Sequence, residues 1–198
     1  EADNFGSLIV PKVGNVADVL TTLEAKDMAG NLFLAETHQR VLSVLRMAAA
    51  LSPRYAVVVA NPPYMGGKGM TGRLSAWAKE NYPSSKSDLF AMFIERNLDL
   101  AVKGGAVAMI TMQSWMFLSS FEALRSRILN QHTILSMAHL GARAFDSIGG
   151  EVVSTTAFVL ENAHKPDYRG AYMRLVDGSS EAEKMEMMAK AIAQGRAA

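Results

Sequence analysis

The tetrapeptide Asn61-Pro62-Pro63-Tyr64 brings together residue types suited to gripping a planar amine. Two consecutive prolines fix the backbone and have no N–H to donate, so the segment is stiff and presents its carbonyls as bare acceptors. Asn61 adds a side-chain carbonyl and Tyr64 a flat aromatic face. Two oxygens converging beside an aromatic plane would hold the NH₂ group of a planar substrate. The plain alternative is a turn that merely leaves a strand, because Pro and Asn are routine turn residues.

The surrounding elements must hold that corner in place. Tyr55–Ala60 is an uninterrupted β-rich apolar run, which suits a strand covered on both faces in a parallel sheet. The tetrapeptide would then lie beyond its carboxyl end, where open α/β sheets bind ligands. Met65–Ser87 is rich in Gly, Ser and Lys and reads as a long loop with one short helix. Its cations Lys68, Arg73, Lys79 and Lys86, against Glu80, either touch phosphates or simply keep the loop soluble. Asp88–Val102 reads as a helix with Asp88 as N-cap and Gly104-Gly105 as its exit. Ala106–Thr111, Thr133–Leu140 and Val152–Leu160 read as further strands, and Phe121–Leu129 as an amphipathic helix. Thr37–Leu51 reads as a helix stopped by Ser52-Pro53, and Glu1–Leu20 as mostly irregular. Tyr172–Val176 reads as a short strand, and Ser180–Gln194 as a helix opened by the capping box of Ser180 and Glu183.

Strand–helix alternation over Ala56–Leu140 predicts parallel pairing with helical crossovers. The Gly141–Gly150 link is too short for a crossover, so Val152–Leu160 is expected to return antiparallel to Thr133–Leu140. The fold class is α/β: a mostly parallel sheet with a final antiparallel hairpin strand.

Composition bounds the function classes. A chain of 198 residues suits one domain, or one domain with an appendage. Twenty Lys+Arg against 19 Asp+Glu, a net +1, argue against a wholesale electrostatic nucleic-acid binder and leave room for a local basic patch. With 49% hydrophobic and 20% charged residues the chain is too apolar for disorder. The absence of cysteine excludes disulfide and thiolate-metal scaffolds and suits a reducing compartment. No apolar run of about 18 residues predicts a membrane span. His38, His132, His139 and His164 are scattered without ligand spacing, so no metal site is expected. The working class is a soluble cytoplasmic domain. The start at Glu1 rather than Met is expected of a processed or excised piece.

Four ordered blocks carry a family resemblance. Asn61-Pro62-Pro63-Tyr64 after a hydrophobic strand resembles the catalytic motif of AdoMet-dependent amino-methyltransferases. Lys86–Glu95 is similar to the helix after the catalytic loop in adenine-N6 DNA methyltransferases. Gly104–Thr111 with Trp115–Leu118 is similar to their next strand and its exit, and Phe145 with Val152–Leu160 to their base-binding loop and final hairpin strand. The likeness is closest to the large adenine methyltransferases of BREX-type phage defence, relatives of fused restriction–methylation enzymes. It spans Tyr55–Leu160, with a weaker likeness over Ala2–Val10.

The resemblance implies transfer of a methyl group from AdoMet to N6 of an adenine flipped out of double-stranded DNA, in restriction-modification or phage defence. It assigns catalysis to Asn61, Pro62, Pro63 and Tyr64, base stacking to Tyr64 and Phe145, and cofactor contacts to Asn61 and Phe93. Phosphate contacts would fall to Lys68, Arg73, Lys79 and Lys86. Phe145 could also fold back on the core, and Phe93 sits on the apolar stripe of its helix. The family's glycine-rich AdoMet turn and second-strand acid have no counterpart here. The chain is therefore expected to be the C-terminal half of a Rossmann-like class I methyltransferase domain. Residues 1–54 would be an irregular or helical lead-in, 55–162 that half-domain, and 163–198 a strand–helix appendage. Alone, it is expected to bind no AdoMet and to self-associate through the uncovered edge of its first strand. The same tetrapeptide serves protein-glutamine and ribosomal-RNA guanine-N2 methyltransferases, and a catalytically silent DNA-binding piece of a defence complex is a third reading. The Asp88–Glu95 helix and the Phe145 loop favour a flipped base over the first two.

Overall fold

The computed structural model describes residues 5–12, 14–26, 32–145 and 153–195. The chain divides into two compact units, Glu1–Arg54 and Tyr55–Ala198. In the first, α1 (Val16–Glu24) and α2 (Leu32–Leu51) are tied together by Arg46, which donates to Glu24 Oε1 at 3.0 and 2.8 Å. His38 Nε2 adds a contact of 2.8 Å to the Leu23 carbonyl. Helix α1 corrects the irregular reading of Glu1–Leu20. Gly14 and Asn15 look like loop, but Asn15 at φ 57° turns the chain into a helix whose Val16, Val19, Leu20 and Leu23 recur at helical spacing.

The second unit holds a five-stranded sheet of β1 (Tyr55–Ala60), β2 (Ala101–Met112), β3 (Thr133–Gly141), β4 (Thr155–Glu161) and β5 (Ala171–Arg174), in the order β1-β2-β4-β3-β5. The β1–β2 and β3–β5 pairs are parallel, and β4 is antiparallel to both β2 and β3. Four strands thus share a direction and β4 opposes them, which matches the mostly parallel sheet with an antiparallel hairpin strand. The crossover from β2 to β3 leaves a gap, and β4 fills it, so β2 and β3 do not pair directly. Residues 146–152, which include the end of the expected Gly141–Gly150 loop and Val152 of the expected strand Val152–Leu160, lie outside the described residues.

Helices α3 (Gly72–Asn81), α4 (Leu89–Leu100), α5 (Glu122–Gln131) and α6 (Glu181–Ala193) complete the unit. Phe90, Ile94 and Leu98 of α4 and Leu124 and Ile128 of α5 pack on Val107 and Met109 of β2 and Phe158 and Leu160 of β4. Each such side chain contributes roughly 1.5–3 kcal/mol when fully buried. Strand alternation sends Ala108, Ile110, Ala157 and Val159 to the opposite face, which carries an open cavity of about 390 Å³. At the sheet edge, Val57 and Val59 of β1 are 61% and 75% exposed. No helix among the described residues is long and apolar enough to cross a membrane.

Gly104-Gly105 is not a helix exit but part of β2, which starts directly after α4. The α4 carbonyl end is capped instead by Asn162, whose Nδ2 donates to Leu98 O at 3.1 Å and Ala101 O at 3.0 Å. Glycine is needed at 105 because a Cβ would come within 2.9 Å of Ala56 O, where the β1–β2 register shifts.

Candidate active site

Strand β1 ends at Ala60 and delivers Asn61 to its carboxyl end. Asn61 is exposed and lines the open cavity with Val59, Ala60, Ala108 and Ile110. Pro62 is buried, Pro63 exposed and Tyr64 half-buried, so alternate residues anchor the corner while Asn61 stays accessible. The Tyr64 ring meets Phe90 edge-on at 6.2 Å and 88°. Its hydroxyl is buried with no partner among the described residues, and burial raises its pKa, so the ring is a neutral phenol. Trp115 Nε1, just after β2, and Thr155 Oγ1, at the start of β4, are buried and unpartnered in the same way. Three orphan polar atoms therefore sit at one end of three neighbouring strands. Such groups are few in native structures and each calls for a reason.

Asp88 fixes the far side of the corner. Its Oδ1 caps α4 by accepting Phe90 N–H at 3.3 Å and also accepts Met65 N–H at 3.0 Å. The Leu89 N–H donates to Met65 O at 3.1 Å, and Gly67 N–H to Ser87 O at 3.1 Å. Chain entry through β1 and chain exit through Asp88 are both pinned, so Pro62-Pro63-Tyr64 has little freedom left. The sequence shows Asp88 only as an N-cap; its reach to Met65, 23 residues upstream, has no local signature.

Two further features border this end of the sheet. His139 Nε2 of β3 lies 2.5 Å from Gln113 Oε1, just beyond β2, and the His139 ring rests at 5.7 Å on Phe117. Burial, then the charges of Arg174 and Lys184, lower the His139 pKa, which keeps the ring neutral near pH 7. No spacing rule joins Gln113 to His139, so the pair is invisible in the sequence. Where β3 exits toward Phe145, Gly141 stands at φ 67° and Arg143 at φ 58°. A left-handed non-glycine residue is uncommon and is found more often where function demands it. Phe145 itself is half-buried.

Phe93 is half-buried against the core and is not among the residues lining the cavity that Asn61 borders. Lys68, Arg73, Lys79 and Lys86 are all exposed, and Lys79 stands in the last turn of α3, where a cation suits the helix dipole. The cavity floor is apolar and its lining carries no charged side chain. These residues give no charged partner to the ribose hydroxyls and zwitterionic end of AdoMet, so they would hold only part of that cofactor.

Comparison with known proteins agrees with this arrangement. The Eco57I restriction-modification methylase family matches residues 22–145. The chain is 46% identical over 190 residues to the adenine-specific methyltransferase BrxX of Escherichia coli O9:H4 (strain HS), covering 94% of this chain and 16% of that protein. It is 44% identical over 175 residues to the adenine-specific methyltransferase PglX of Lacticaseibacillus casei (strain Zhang), covering 88% and 14%. The chain thus spans about one-sixth of the length of these curated relatives. Among solved structures, a nuclease-deletion mutant of the Type ISP restriction-modification enzyme LlaGI, in complex with a DNA substrate mimic, shares the fold. Its TM-score is 0.54 at 14% identity, over 87% of this chain and 16% of that one. From the family match and the sheet that carries the Asn61 corner, the chain belongs to the Eco57I restriction-modification methylase family.

Proposed function

We propose that this chain supplies the acceptor side of a DNA adenine-N6 methyl-transfer site within a longer polypeptide of restriction-modification or phage defence. The observation that carries the reading is the exposed Asn61 amide on a corner fixed by Pro62, Pro63 and the Asp88–Met65 bond. Adenine's exocyclic amine is a poor nucleophile because its lone pair is delocalised into the ring. Asn61 Oδ1 and the Pro62 carbonyl accept its two hydrogens, draw the nitrogen toward tetrahedral geometry and free the lone pair. Preorganised acceptors of this kind contribute a few kcal/mol, about 10²–10³ in rate. No general base is needed before the transfer, so the lack of an acid or histidine in the corner is no obstacle.

Tyr64 and Phe145 are the proposed stacking partners of the extruded base, and Lys68, Arg73, Lys79 and Lys86 the proposed phosphate contacts on double-stranded DNA. When bound, AdoMet supplies an electrophilic methyl group; Asn61 and Phe93 are its proposed contacts from this chain. The residues described here act on the amine. Self-association through the β1 edge is proposed for the chain alone, on the exposure of Val57 and Val59.

The test is to supply the full-length protein with methyl-labelled AdoMet and, in parallel reactions, duplex DNA, ribosomal RNA or a glutamine-bearing protein, and to digest the products. Label in N6-methyladenine supports the reading. Label on protein glutamine or guanine N2 would instead favour another amino-methyltransferase sharing the tetrapeptide.

A further inference from the structure

Between β2 and α5 the chain makes two 3-10 turns, Gln113–Met116 and Ser119–Phe121, at the same end of the sheet as Asn61. Trp115 and Phe121 anchor them inside, each 3% exposed, on Phe158 at 5.2 Å and Phe90 at 5.7 Å. Met116 between these anchors also packs on the core, but Phe117 and Leu118 point the other way, 60% and 53% exposed. Their backbone is nevertheless held. The N–H groups of Phe117 and Leu118 donate to Ser114 O at 3.2 and 3.0 Å, and Arg125 Nη1 donates to Trp115 O at 2.8 Å and Leu118 O at 2.6 Å.

A rigid turn that exposes two large apolar side chains gains nothing for the core from them. The ordering cost of the turn is already met in the free protein, which suits a contact made on binding. Beside Phe117 stands the Gln113–His139 pair, whose side chains can donate to and accept from a base edge. We infer that Phe117 and Leu118 form an apolar wedge that contacts the DNA stack beside the target adenine, with Gln113 and His139 facing the neighbouring base edge. This rests on the adenine-methylation reading and adds a residue set to it. The partner is DNA rather than a protein groove because a base must leave the stack at this end of the sheet. Apolar wedges of Phe and Leu are the side chains that enter an opened base step.

Two substrates test the wedge in the full-length protein: a matched duplex, and a duplex whose target adenine is unpaired so that extrusion is nearly free. Phe117→Ala is expected to lower kcat/KM on the matched duplex roughly tenfold or more, the range of one lost base–aromatic stack. It is also expected to lower 2-aminopurine fluorescence at the target and to leave the unpaired substrate almost unaffected. Phe117→Trp should restore the matched activity. Because the side chain is exposed, the thermal midpoint should not change. Unchanged rates on both substrates, or equal losses on both, would overturn the wedge; equal losses would mark the turn as a general docking surface. Failure of the underlying reading is distinct: the unsubstituted protein would then leave no N6-methyladenine on either substrate.

Discussion

Asp88 and Met65 close the candidate site from behind: one carboxylate oxygen caps α4 and accepts the Met65 N–H at 3.0 Å, directly after Tyr64. One side chain thus couples the start of a core helix to the end of the proline corner. Burial raises the Asp88 pKa, opposed by the backbone N–H groups of Met65, Phe90 and Leu89. For a raised carboxyl the favourable contribution is complete below the ordinary range and is lost as pH rises through the folded value. An asparagine side chain at this position keeps the acceptor oxygen without the buried charge. Asp88→Asn is therefore expected to match or exceed the original stability at neutral pH. Asp88→Ala should lose about 1 kcal/mol for the cap alone, and more for the stranded Met65 N–H. Urea unfolding of both variants checks the order.

Acid should weaken the fold through His132. Burial first, then Arg127, lower its pKa below the ordinary 6.5, with Asn162 and Asp99 acting the other way. Both ring nitrogens are buried. The neutral ring is the form the fold prefers, so its contribution is complete above 6.5 and is lost as pH falls through the lower folded value. His139, lowered by burial, Arg174 and Lys184, adds to the same limb. The thermal midpoint should fall on acidification below that pH, and His132→Leu should make the fall shallower.

Gly141→Ala tests the exit of β3 toward Phe145. At φ 67° an L-residue is strained, and its Cβ would come 2.9 Å from the Val176 side chain. Left-handed backbone alone costs roughly 1–2 kcal/mol. Gly67→Ala, with open space around it, is the control and should be close to neutral in thermal unfolding.

The place of β1 at the edge of the sheet among the described strands predicts self-association of this chain. Val57→Lys with Val59→Lys places two charges where a second strand would add, the device by which natural edges resist pairing. Sedimentation velocity should show larger species for the original chain and a shift toward monomer for the double variant. Identical profiles would remove the edge from any role in assembly.

How much of this was legible in the sequence depends on the range of the interaction. Tyr55–Ala60 stands out because six consecutive residues suit a strand, and the hairpin of β3 and β4 follows from a short link. Helix α3 is the one short helix expected in the Gly-, Ser- and Lys-rich stretch, but its bounds are not legible there because only Leu74 and Ala78 of it are buried. The insertion of β4 beside β2 has no local signature, since it depends on edges far apart in the chain. The same divide runs through the site. Asn61, Pro62, Pro63 and Tyr64 are visible as residue types in order, whereas the Asp88–Met65 bond and the Gln113–His139 pair exist only once the fold has joined distant segments.

The most direct measurement is adenine methylation by the full-length protein carrying Asn61→Ala, with duplex affinity measured alongside. Loss of transfer by about 10²–10³ with DNA binding retained is expected if the Asn61 amide holds the reacting amine. Methylation at the original rate would contradict that role and leave the corner as a turn at the end of β1.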